Sequence, residues 1–339
     1  MGKIIQQLPA PSHDYYIGRG KLQELVALKE TKGFNILILD DELTANQQQN
    51  LEKELDIKVI DRAALILDIF AKRARTHEGR LQVELAQYQY LLPRLAGQWS
   101  HLERLGGGIG TRGPGESQLE TDRRLIRRKI QRLEEQTEEI RRRRALYRHQ
   151  RQKSGIPVVA LVGYTNTGKS TLLNALCRAD VLVDDRVFAT LDPTTRRLNL
   201  PDNRTVLVSD TLGFIRKLPP TIISAFRATL EELSEADLLV HVVDLTAADA
   251  SEQYDTVEKI LKELELQDKP RVTAMNKIDA LLPAEGEWDE AKANEYYISQ
   301  SGAPAADTVL ISAVKKWGLG KLQEVIKSKL PEVKYVRNV

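Results

Sequence analysis

Val158-Val-Ala-Leu-Val162 leads directly into Gly163-Tyr-Thr-Asn-Thr-Gly168-Lys169-Ser170, and Thr171-Leu-Leu-Asn-Ala-Leu176 follows. The first segment is a continuous apolar run, which is typical of a strand in the middle of a parallel sheet. The second has the spacing GxxxxGK[ST], and the third has helical character. Glycines let backbone N–H groups close around phosphate oxygens, and the start of a helix favours negative charge. This strand-loop-helix unit therefore predicts a phosphate-binding loop.

Two side chains of this loop have predicted roles. Lys169 would reach the terminal phosphates of a nucleotide, and Ser170 would hold Mg²⁺. Downstream, the strand-like segment Val206-Leu-Val-Ser209 ends in Asp210-Thr-Leu-Gly213. An acid at this place binds Mg²⁺ through water, and the glycine N–H contacts the γ-phosphate. Asp-x-x-Gly is a weak pattern alone, but its position one strand after the phosphate loop supports a nucleoside triphosphate site.

The identity of the base is predicted from Asn276-Lys277-Ile-Asp279, which follows the apolar strand Val272-Thr-Ala-Met275. A carboxylate at Asp279 would accept two hydrogen bonds from guanine. Adenine has no such donors, and an unpaired buried carboxylate is costly, so the site would reject ATP. Asn276 and Lys277 would brace the loop and cover the ring. The pattern therefore favours GTP and GDP as ligands.

Two further apolar strands complete this part of the chain. Leu238-Leu-Val-His-Val-Val243 is one, and Thr308-Val-Leu-Ile311 is the other. The second leads to Ser312-Ala313, whose backbone would meet the guanine oxygen. The order of motifs over residues 157 to about 330 is that of a Ras-like GTP-binding domain, with a mostly parallel sheet covered by helices.

The segment Val187-Phe-Ala-Thr-Leu-Asp-Pro-Thr194 narrows the resemblance further. Together with Gly-Tyr-Thr-Asn-x-Gly-Lys-Ser and Asp-Thr-x-Gly-Phe-Ile, it resembles the HflX family of GTPases. Segments of the first half, such as Tyr16-Ile-Gly-Arg-Gly20 and Gly107-Gly-Ile-Gly-Thr-Arg-Gly-Pro-Gly-Glu116, are similar to the same family. The resemblance implies that Thr190 closes over Mg²⁺ and the γ-phosphate. The resemblance is incomplete at both ends of the chain. Family members usually begin with a further strand and helix, and many carry a small domain after the GTPase.

Composition places few other limits on function. The 339 residues include 50 Lys and Arg and 48 Asp and Glu, and 42% of residues are hydrophobic, as in ordinary globular proteins. The one cysteine, Cys177, and five scattered histidines do not predict a disulfide or a structural metal site. No signal peptide or membrane-spanning run is evident, so we expect a cytoplasmic protein, with peripheral membrane association left open. We also expect a monomer.

The first half predicts two units. Residues 1–80 have the alternating helices and strands of a small α/β domain, with short strands at Ile36-Leu-Ile-Leu39 and Lys58-Val-Ile60. Residues 81–154 have two apolar stripes of helical spacing, separated by the glycine-rich segment 106–115. They predict an antiparallel helical hairpin with a glycine-rich tip, although two separate helices on the sheet are an alternative. The GTPase domain would be residues 155–332, followed by a tail at 333–339.

The net charge of +2 hides a polarised distribution. Residues 123–153 hold thirteen Lys and Arg and four Glu, so this segment carries +9 and the remainder −7. A charge run is usually a solvated helix face. Arginine predominates here, however, and arginine suits bidentate phosphate contacts, so an RNA interface is favoured. The candidate RNA contacts are Arg112, Arg123, Arg124, Arg127, Arg128 and Arg132.

The predicted mechanism is that of a slow switch. Hydrolysis needs an aligned water, often held by a glutamine after the Asp-x-x-Gly glycine. This chain has Phe214 there, which either signals slow hydrolysis awaiting a partner or simply packs beside the switch. GTP would order the loops of Thr190 and Gly213, and hydrolysis would release the partner.

The HflX resemblance implies that this partner is the large ribosomal subunit with its ribosomal RNA, and that the role is ribosome splitting, rescue or stress response. A GTP-dependent protein- or membrane-binding module with incidental hydrolysis is the alternative. A second alternative, an ATP-dependent N-terminal domain, lacks a phosphate-loop motif before residue 163.

Catalytic roles are expected for Lys169, Thr190 and Gly213, and Mg²⁺ ligation for Ser170 and Thr190, with Asp210 acting through water. The residues expected to bind nucleotide are Gly163, Tyr164, Thr165, Asn166, Thr167, Gly168, Lys169, Ser170, Thr171, Phe188, Ala189, Thr190, Leu191, Asp192, Asp210, Thr211, Leu212, Gly213, Asn276, Lys277, Asp279, Ser312, Ala313 and Val314.

Overall fold

The computed structural model describes residues 2–95, 114–177, 194–211, 213–216, 222, 233–283 and 285–331, without the side chains of 114–119, 145 and 147–154. The chain divides into two compact units. The first comprises residues 1–72, 80–139 and 219–225, and the second comprises 73–79, 140–218 and 226–339. The fold class is α/β, as predicted, because helices alternate with mostly parallel strands in both units.

A small two-stranded parallel sheet lies in the first unit. Strands β1 (Ile36–Ile38) and β2 (Lys58–Ile60) pair in register from Ile36 opposite Lys58. Helices α1 (Arg19–Lys32), α2 (Ala45–Leu55) and α3 (Arg62–Arg73) accompany the strands. Helix α2 begins with a capping box between Thr44 and Gln47, which satisfies two backbone N–H groups. The buried core of α1, α2 and the two strands is formed by Leu22, Leu25, Leu39, Leu43, Leu51, Leu55 and Val59.

A buried ion pair fastens the end of the next helix to this core. Helix α4 (His77–Leu91) continues into a 3₁₀ turn, Leu92–Arg94. The Arg94 guanidinium lies 3.3 Å from the Asp61 carboxylate, which is fully buried. Asp61 also accepts hydrogen bonds from the Tyr90 hydroxyl at 2.8 Å and the Leu43 N–H at 3.1 Å. Because its lone pairs are satisfied from three elements, the buried carboxylate is compatible with a stable core.

The predicted second helix of the hairpin is longer than expected. Helix α5 spans Pro114–Ser154, so the last two residues of the predicted glycine-rich tip are helical. Proline is accepted in a first helical turn because its missing N–H has no partner there. The side chains of α4 and α5 contact each other through Glu84 and Lys129 at 3.0 Å and through Gln89 and Glu134 at 3.3 Å. The rest of the tip lies outside the described residues.

The sheet of the second unit has six strands in the order β4-β5-β3-β6-β7-β8. All neighbours are parallel except β4 and β5, which are antiparallel. The strands predicted at 206–209, 238–243, 272–275 and 308–311 are confirmed to within two residues. The strands are β3 (Val158–Val162), β4 (Thr194–Asn199), β5 (Thr205–Asp210), β6 (Leu238–Asp244), β7 (Arg271–Asn276) and β8 (Thr308–Leu310).

Strand β4 was absent from the sequence prediction. Its burial pattern exposes Arg196 and Arg197 and fully buries only Leu198, so it lacks the apolar face that signals a strand. It pairs with β5 across the turn at 201–203. The helices of this unit are α6 (Lys169–Cys177), α7 (Ala250–Glu263), α8 (Glu290–Ser301) and α9 (Leu319–Lys329), with a 3₁₀ turn at Ile278–Leu281.

Candidate nucleotide site

The phosphate loop connects the carboxyl end of β3 to the first residue of α6. Lys169, that first residue, is only 6% exposed. Its ammonium donates hydrogen bonds to the carbonyl oxygens of Gly163 at 3.1 Å and Tyr164 at 2.8 Å. These bonds fold the side chain back over the loop and hold its charge above the helix N-terminus. A bound anion would meet both the ammonium and the helix dipole there.

Two glycines of the loop are required by packing as well as by conformation. Gly163 has φ +155°, and a Cβ there would lie 2.4 Å from the carbonyl oxygen of Val242. Gly168 has φ +91°, and its Cβ would lie 2.4 Å from the Asn276 Nδ2. The loop therefore packs against two neighbouring strand ends with no space for a side chain.

Burial changes the acidity of the loop lysine. Desolvation lowers the pKa of Lys169 to about 8, and the nearby charge of Asp210 opposes this shift. A terminal phosphate would supply the negative charge that the buried ammonium lacks. The electrostatics thus fit an anionic ligand.

The predicted magnesium site brings two oxygen donors together. The Ser170 hydroxyl donates to the Asp210 Oδ2 at 2.6 Å, and Asp210 is 1% exposed at the end of β5. Hydroxyl and carboxylate oxygens are ligands that Mg²⁺ prefers, and Mg²⁺ usually retains several waters. The donor set therefore fits a magnesium ion held by Ser170, with Asp210 acting through a water. Thr190, the other predicted ligand, lies outside the described residues.

The segment 213–216 lies directly against the phosphate loop. Phe214 donates from its N–H to the Gly163 carbonyl at 3.0 Å, and its own carbonyl accepts from the Thr165 N–H at 2.8 Å. Its ring is 1% exposed. A Cβ on Gly213 would lie 3.0 Å from the Lys169 Nζ. This confirms that Phe214 packs beside the predicted switch glycine, and its buried ring offers no hydrogen bond to a water.

The predicted base-binding motif links three loops. Asn276, at the end of β7, is 2% exposed. Its Nδ2 donates to the Thr167 carbonyl at 2.8 Å, and its Oδ1 accepts from the Ala313 N–H at 3.0 Å. The asparagine thereby joins the phosphate loop to the segment after β8. Its bracing role, predicted from sequence, has a direct structural counterpart.

Lys277 braces the same loop from a strained position. It has φ +67°, in the left-handed region, and its ammonium donates to the Asn166 carbonyl at 2.9 Å. It also contacts the Asp244 carboxylate at 2.7 Å. Asp244 ends β6, directly opposite Asn276 in the sheet, and sequence reasoning missed it. An acid directly after the apolar run 238–243 was a sequence signal that could have identified Asp244, because this strand ends at the same sheet edge as β7.

The remaining predicted base contacts are Asp279, Ser312, Ala313 and Val314. Asp279 is half-buried in the 3₁₀ turn after Lys277, two residues beyond it. Ser312 is fully buried and accepts from the Lys315 N–H at 3.0 Å, whereas Val314 is 71% exposed. The Ala313 N–H, a proposed guanine contact, already donates to Asn276.

For the other residues predicted to bind nucleotide, the structure gives a position or a bond within the protein, or they lie outside the described residues. The Thr211 hydroxyl donates to the Leu161 carbonyl at 2.7 Å, so its side chain ties β5 to β3. Thr171 lies in the first turn of α6. Phe188, Ala189, Thr190, Leu191, Asp192 and Leu212 lie outside the described residues, as does Arg112 among the predicted RNA contacts.

Four of the five remaining candidate RNA contacts form an arginine face on α5, which we define as Arg124, Arg127, Arg128 and Arg132. These four positions are spaced i, i+3, i+4 and i+8, so they share one side of the helix. All four are exposed, whereas Leu133 on the opposite side is 2% exposed. Arg123 is half-buried beside them. Four glutamates between 134 and 139 separate this face from a second basic run that begins at Arg141.

Other classes of site are not found within the described ranges. There, His, Cys, Asp and Glu form no group of three or more able to hold a metal ion. Over the same described part of the chain, no helix is both long and apolar enough to cross a membrane.

Three family models match consecutive parts of the chain. Residues 1–71 match one described as GTP-binding GTPase N-terminal, and residues 73–151 match GTP-binding GTPase Middle Region. Residues 158–277 match 50S ribosome-binding GTPase. Among solved structures, the chain is similar to a GTP-binding protein from the hyperthermophilic archaeon Sulfolobus solfataricus in complex with GDP, with 27% identity and a TM-score of 0.48, covering 95% of this chain and 88% of that one.

Curated relatives share about half of the sequence. The chain is 50% identical to GTPase HflX of Caldanaerobacter subterraneus subsp. tengcongensis, covering 97% of this chain and 73% of the relative. It is 55% identical to GTPase HflX of Alkalihalophilus pseudofirmus, covering 82% and 66%, and 46% identical to that of Escherichia coli, covering 87% and 70%. The aligned part is thus about two thirds to three quarters of each relative's length. With its phosphate loop and guanine motif in place, the chain belongs to the HflX family of GTPases.

Proposed function

We propose that this chain is a GTP-dependent switch that binds the large ribosomal subunit and acts in ribosome splitting, rescue or stress response. The observation that carries the proposal is the exposed arginine face on α5 in a chain that also holds a guanine nucleotide motif. The family model over residues 158–277, described as a 50S ribosome-binding GTPase, supports the same partner. Such a partner places the protein in the cytoplasm.

In the proposed cycle, the phosphate loop, Ser170 and Asp210 bind GTP with Mg²⁺. The ion would neutralise charge on the phosphates when bound. Lys169 holds the terminal phosphates, and Asp279 selects guanine. Thr190 and Gly213 then report the presence of the third phosphate, as in other GTPase switches. The division into domains at 1–80, 81–154 and 155–332 belongs to this proposal, with nucleotide binding assigned to the last.

Hydrolysis is proposed to be slow in the isolated protein. The water that attacks the γ-phosphate has to be oriented, and Phe214 occupies the place where a glutamine often does this. Its ring is buried and its backbone N–H and carbonyl are both bonded to the phosphate loop. Alignment of the water therefore needs another group. We assign that group to the ribosome, which would stimulate hydrolysis on binding.

Binding to RNA is proposed through the arginine face. Ribosomal RNA presents a dense array of phosphates, and each arginine that meets one releases counterions and adds affinity. Four arginines within about two helical turns, roughly 12 Å, match a stretch of backbone phosphates. On the opposite side of α5, Leu133 is buried and Lys129 pairs with Glu84 of α4 at 3.0 Å. The arginines and the residues that contact α4 therefore lie on different sides of the helix.

Cosedimentation with purified large ribosomal subunits tests the proposal. The protein is expected in the pellet with a nonhydrolysable GTP analogue and largely in the supernatant with GDP. Replacing all four arginines of the face by alanine should abolish pelleting, because most of the phosphate contacts are lost. A matched control replaces Arg141, Arg142 and Arg143, which adjoin the acidic run, and should retain most of the binding.

Absence from the pellet with both nucleotides would overturn the ribosomal role. The same preparation, tested against anionic lipid vesicles and for GTP analogue affinity, then separates the alternative function from an inactive protein. Retained nucleotide binding without ribosome binding would favour a GTP-dependent module for another partner.

A further inference from the structure

The short segment that follows β5 is docked on the phosphate loop by three hydrogen bonds. We call residues 213–216 the docked segment. Phe214 forms two of these bonds through its backbone, to the Gly163 carbonyl at 3.0 Å and from the Thr165 N–H at 2.8 Å. The third joins the Arg216 N–H to the hydroxyl oxygen of Tyr164 at 3.2 Å. Phe214 and Arg216 are thus both bonded to one loop.

The docked segment lies in the space next to the phosphate-binding ammonium. A Cβ on Gly213 would be 3.0 Å from the Lys169 Nζ and 2.9 Å from the Thr165 Cγ2. A phosphate oxygen needs about 2.8 Å to the ammonium for a hydrogen bond, and the rest of the phosphate lies beyond it. A phosphate oxygen placed at that Cβ position would overlap the Gly213 backbone, so a phosphate does not fit there while the segment is docked. The docked segment therefore competes with a third phosphate for the space on this side of Lys169.

A side-chain contact adds to the docking at its far end. The Arg216 guanidinium lies 2.5 Å from the Glu252 carboxylate in the first turn of α7. Both side chains are about half exposed, so the pair contributes little. The Tyr164 hydroxyl differs from this ion pair because it belongs to the phosphate loop itself and bonds to the backbone of the docked segment.

We propose that Tyr164 is a specificity-determining residue that favours GDP over GTP by holding segment 213–216 where the third phosphate binds. The inference rests on the proposed GTP switch and deepens it. Binding of GTP has to work against the docked conformation, whereas GDP leaves it in place. The apparent affinity for GTP is then reduced by the fraction of molecules that are undocked. Loosening the docking raises the affinity for GTP relative to that for GDP, so the ratio of the two affinities is the quantity to measure.

The test is Tyr164→Phe, which removes one hydroxyl and keeps the ring. Equilibrium affinities for GDP and a nonhydrolysable GTP analogue are measured by fluorescence. This bond lies at the protein surface, so the low end of hydrogen-bond strength applies, and the ratio of GTP-analogue to GDP affinity should rise by about twofold to threefold. Glu252→Gln should shift the ratio in the same direction by less than about twofold, since the ion pair is exposed. Tyr296→Phe, the same chemical change in α8, is the matched control and should leave the ratio unchanged.

A second measurement uses the protein without nucleotide. Hydrogen exchange of the Phe214 and Arg216 amides should be faster in Tyr164→Phe than in the wild type, and unaltered in Tyr296→Phe. An unchanged affinity ratio, or unchanged exchange of these amides, overturns the inference. If the wild-type protein binds neither guanine nucleotide, it is the proposed function that fails, so the two failures are distinguishable.

Discussion

The nucleotide site and the arginine face use charge in opposite ways. In the nucleotide site, Lys169, Asp210 and Asn276 are at most 6% exposed, and each has fixed hydrogen-bond partners. On α5, four arginines of like charge are exposed to solvent. Buried polar groups are costly to leave unpaired, whereas exposed charges are screened by salt. Single substitutions should therefore have large effects in the first region and small, cumulative effects in the second.

The largest effect is expected from Asp279→Asn. An amide cannot accept both hydrogen bonds from guanine, so GTP and GDP affinity should fall by about a thousandfold, and affinity for xanthine nucleotides should rise. Competition binding with GTP, XTP and ATP measures this shift. Unaltered GTP affinity would refute the assigned base contact.

A smaller but still large effect is expected from Asn276→Ala. The change leaves the Thr167 carbonyl and the Ala313 N–H without their buried partner, which costs about 3 kcal/mol in total and weakens GDP binding by about 100-fold. Isothermal titration gives the affinity. Asn199→Ala on the edge strand β4 is the matched control, because Asn199 is exposed and bonds only to Thr205 among the contacts described. Equal losses in both variants would contradict a specific bracing role.

An effect of about tenfold is expected from pH. Lys169 has a pKa lowered to about 8 by burial, so above pH 8 the nucleotide-free protein holds a neutral amine. Binding an anion then requires proton uptake, and affinity for GDP should weaken by about tenfold between pH 7 and pH 9, with most of the change above pH 8. Fluorescence titrations across this range test the sign and the midpoint. Lys169→Arg, whose guanidinium does not titrate, should give a flat profile at whatever affinity it retains.

The smallest effects are expected on the arginine face. Arg124→Ala and Arg128→Ala should each weaken binding to large ribosomal subunits by about twofold to fivefold. Each should also reduce the slope of log affinity against log salt by about 0.7 to 0.9, since one phosphate contact is lost. Salt-dependent cosedimentation measures both quantities. Slopes that match the wild type, with Arg142→Ala as the control, would remove these arginines from the interface.

The sequence was sufficient for the parts of the molecule in which one short segment determines one structure. The apolar run at 158–162, the glycines of the loop and the helical segment after them predict strand, loop and helix together, because the spacing GxxxxGK[ST] stands in that context. The guanine motif was predicted from its position after an apolar strand, downstream of the phosphate loop and Asp210-Thr-Leu-Gly213. Strand β4 was missed because Arg196 and Arg197 are exposed at the sheet edge, and its position depends on pairing with β5.

Contacts between distant segments were beyond sequence reasoning. Lys277 pairs with Asp244, 33 residues away, only because β6 and β7 are neighbours in the sheet. The bond from the Arg216 N–H to the Tyr164 hydroxyl spans 52 residues and depends on the docked backbone of Phe214.

The central claim is that the nucleotide bound beside Lys169 controls binding to the large ribosomal subunit, and Asp279→Asn tests it most directly. The variant is mixed with purified large subunits and a nonhydrolysable analogue of either XTP or GTP, and the pellets are compared. The account predicts that the variant pellets with the XTP analogue and not with the GTP analogue, the reverse of the wild type. Pelleting that is the same with both analogues, or absent with both while XTP-analogue binding is intact, would contradict it.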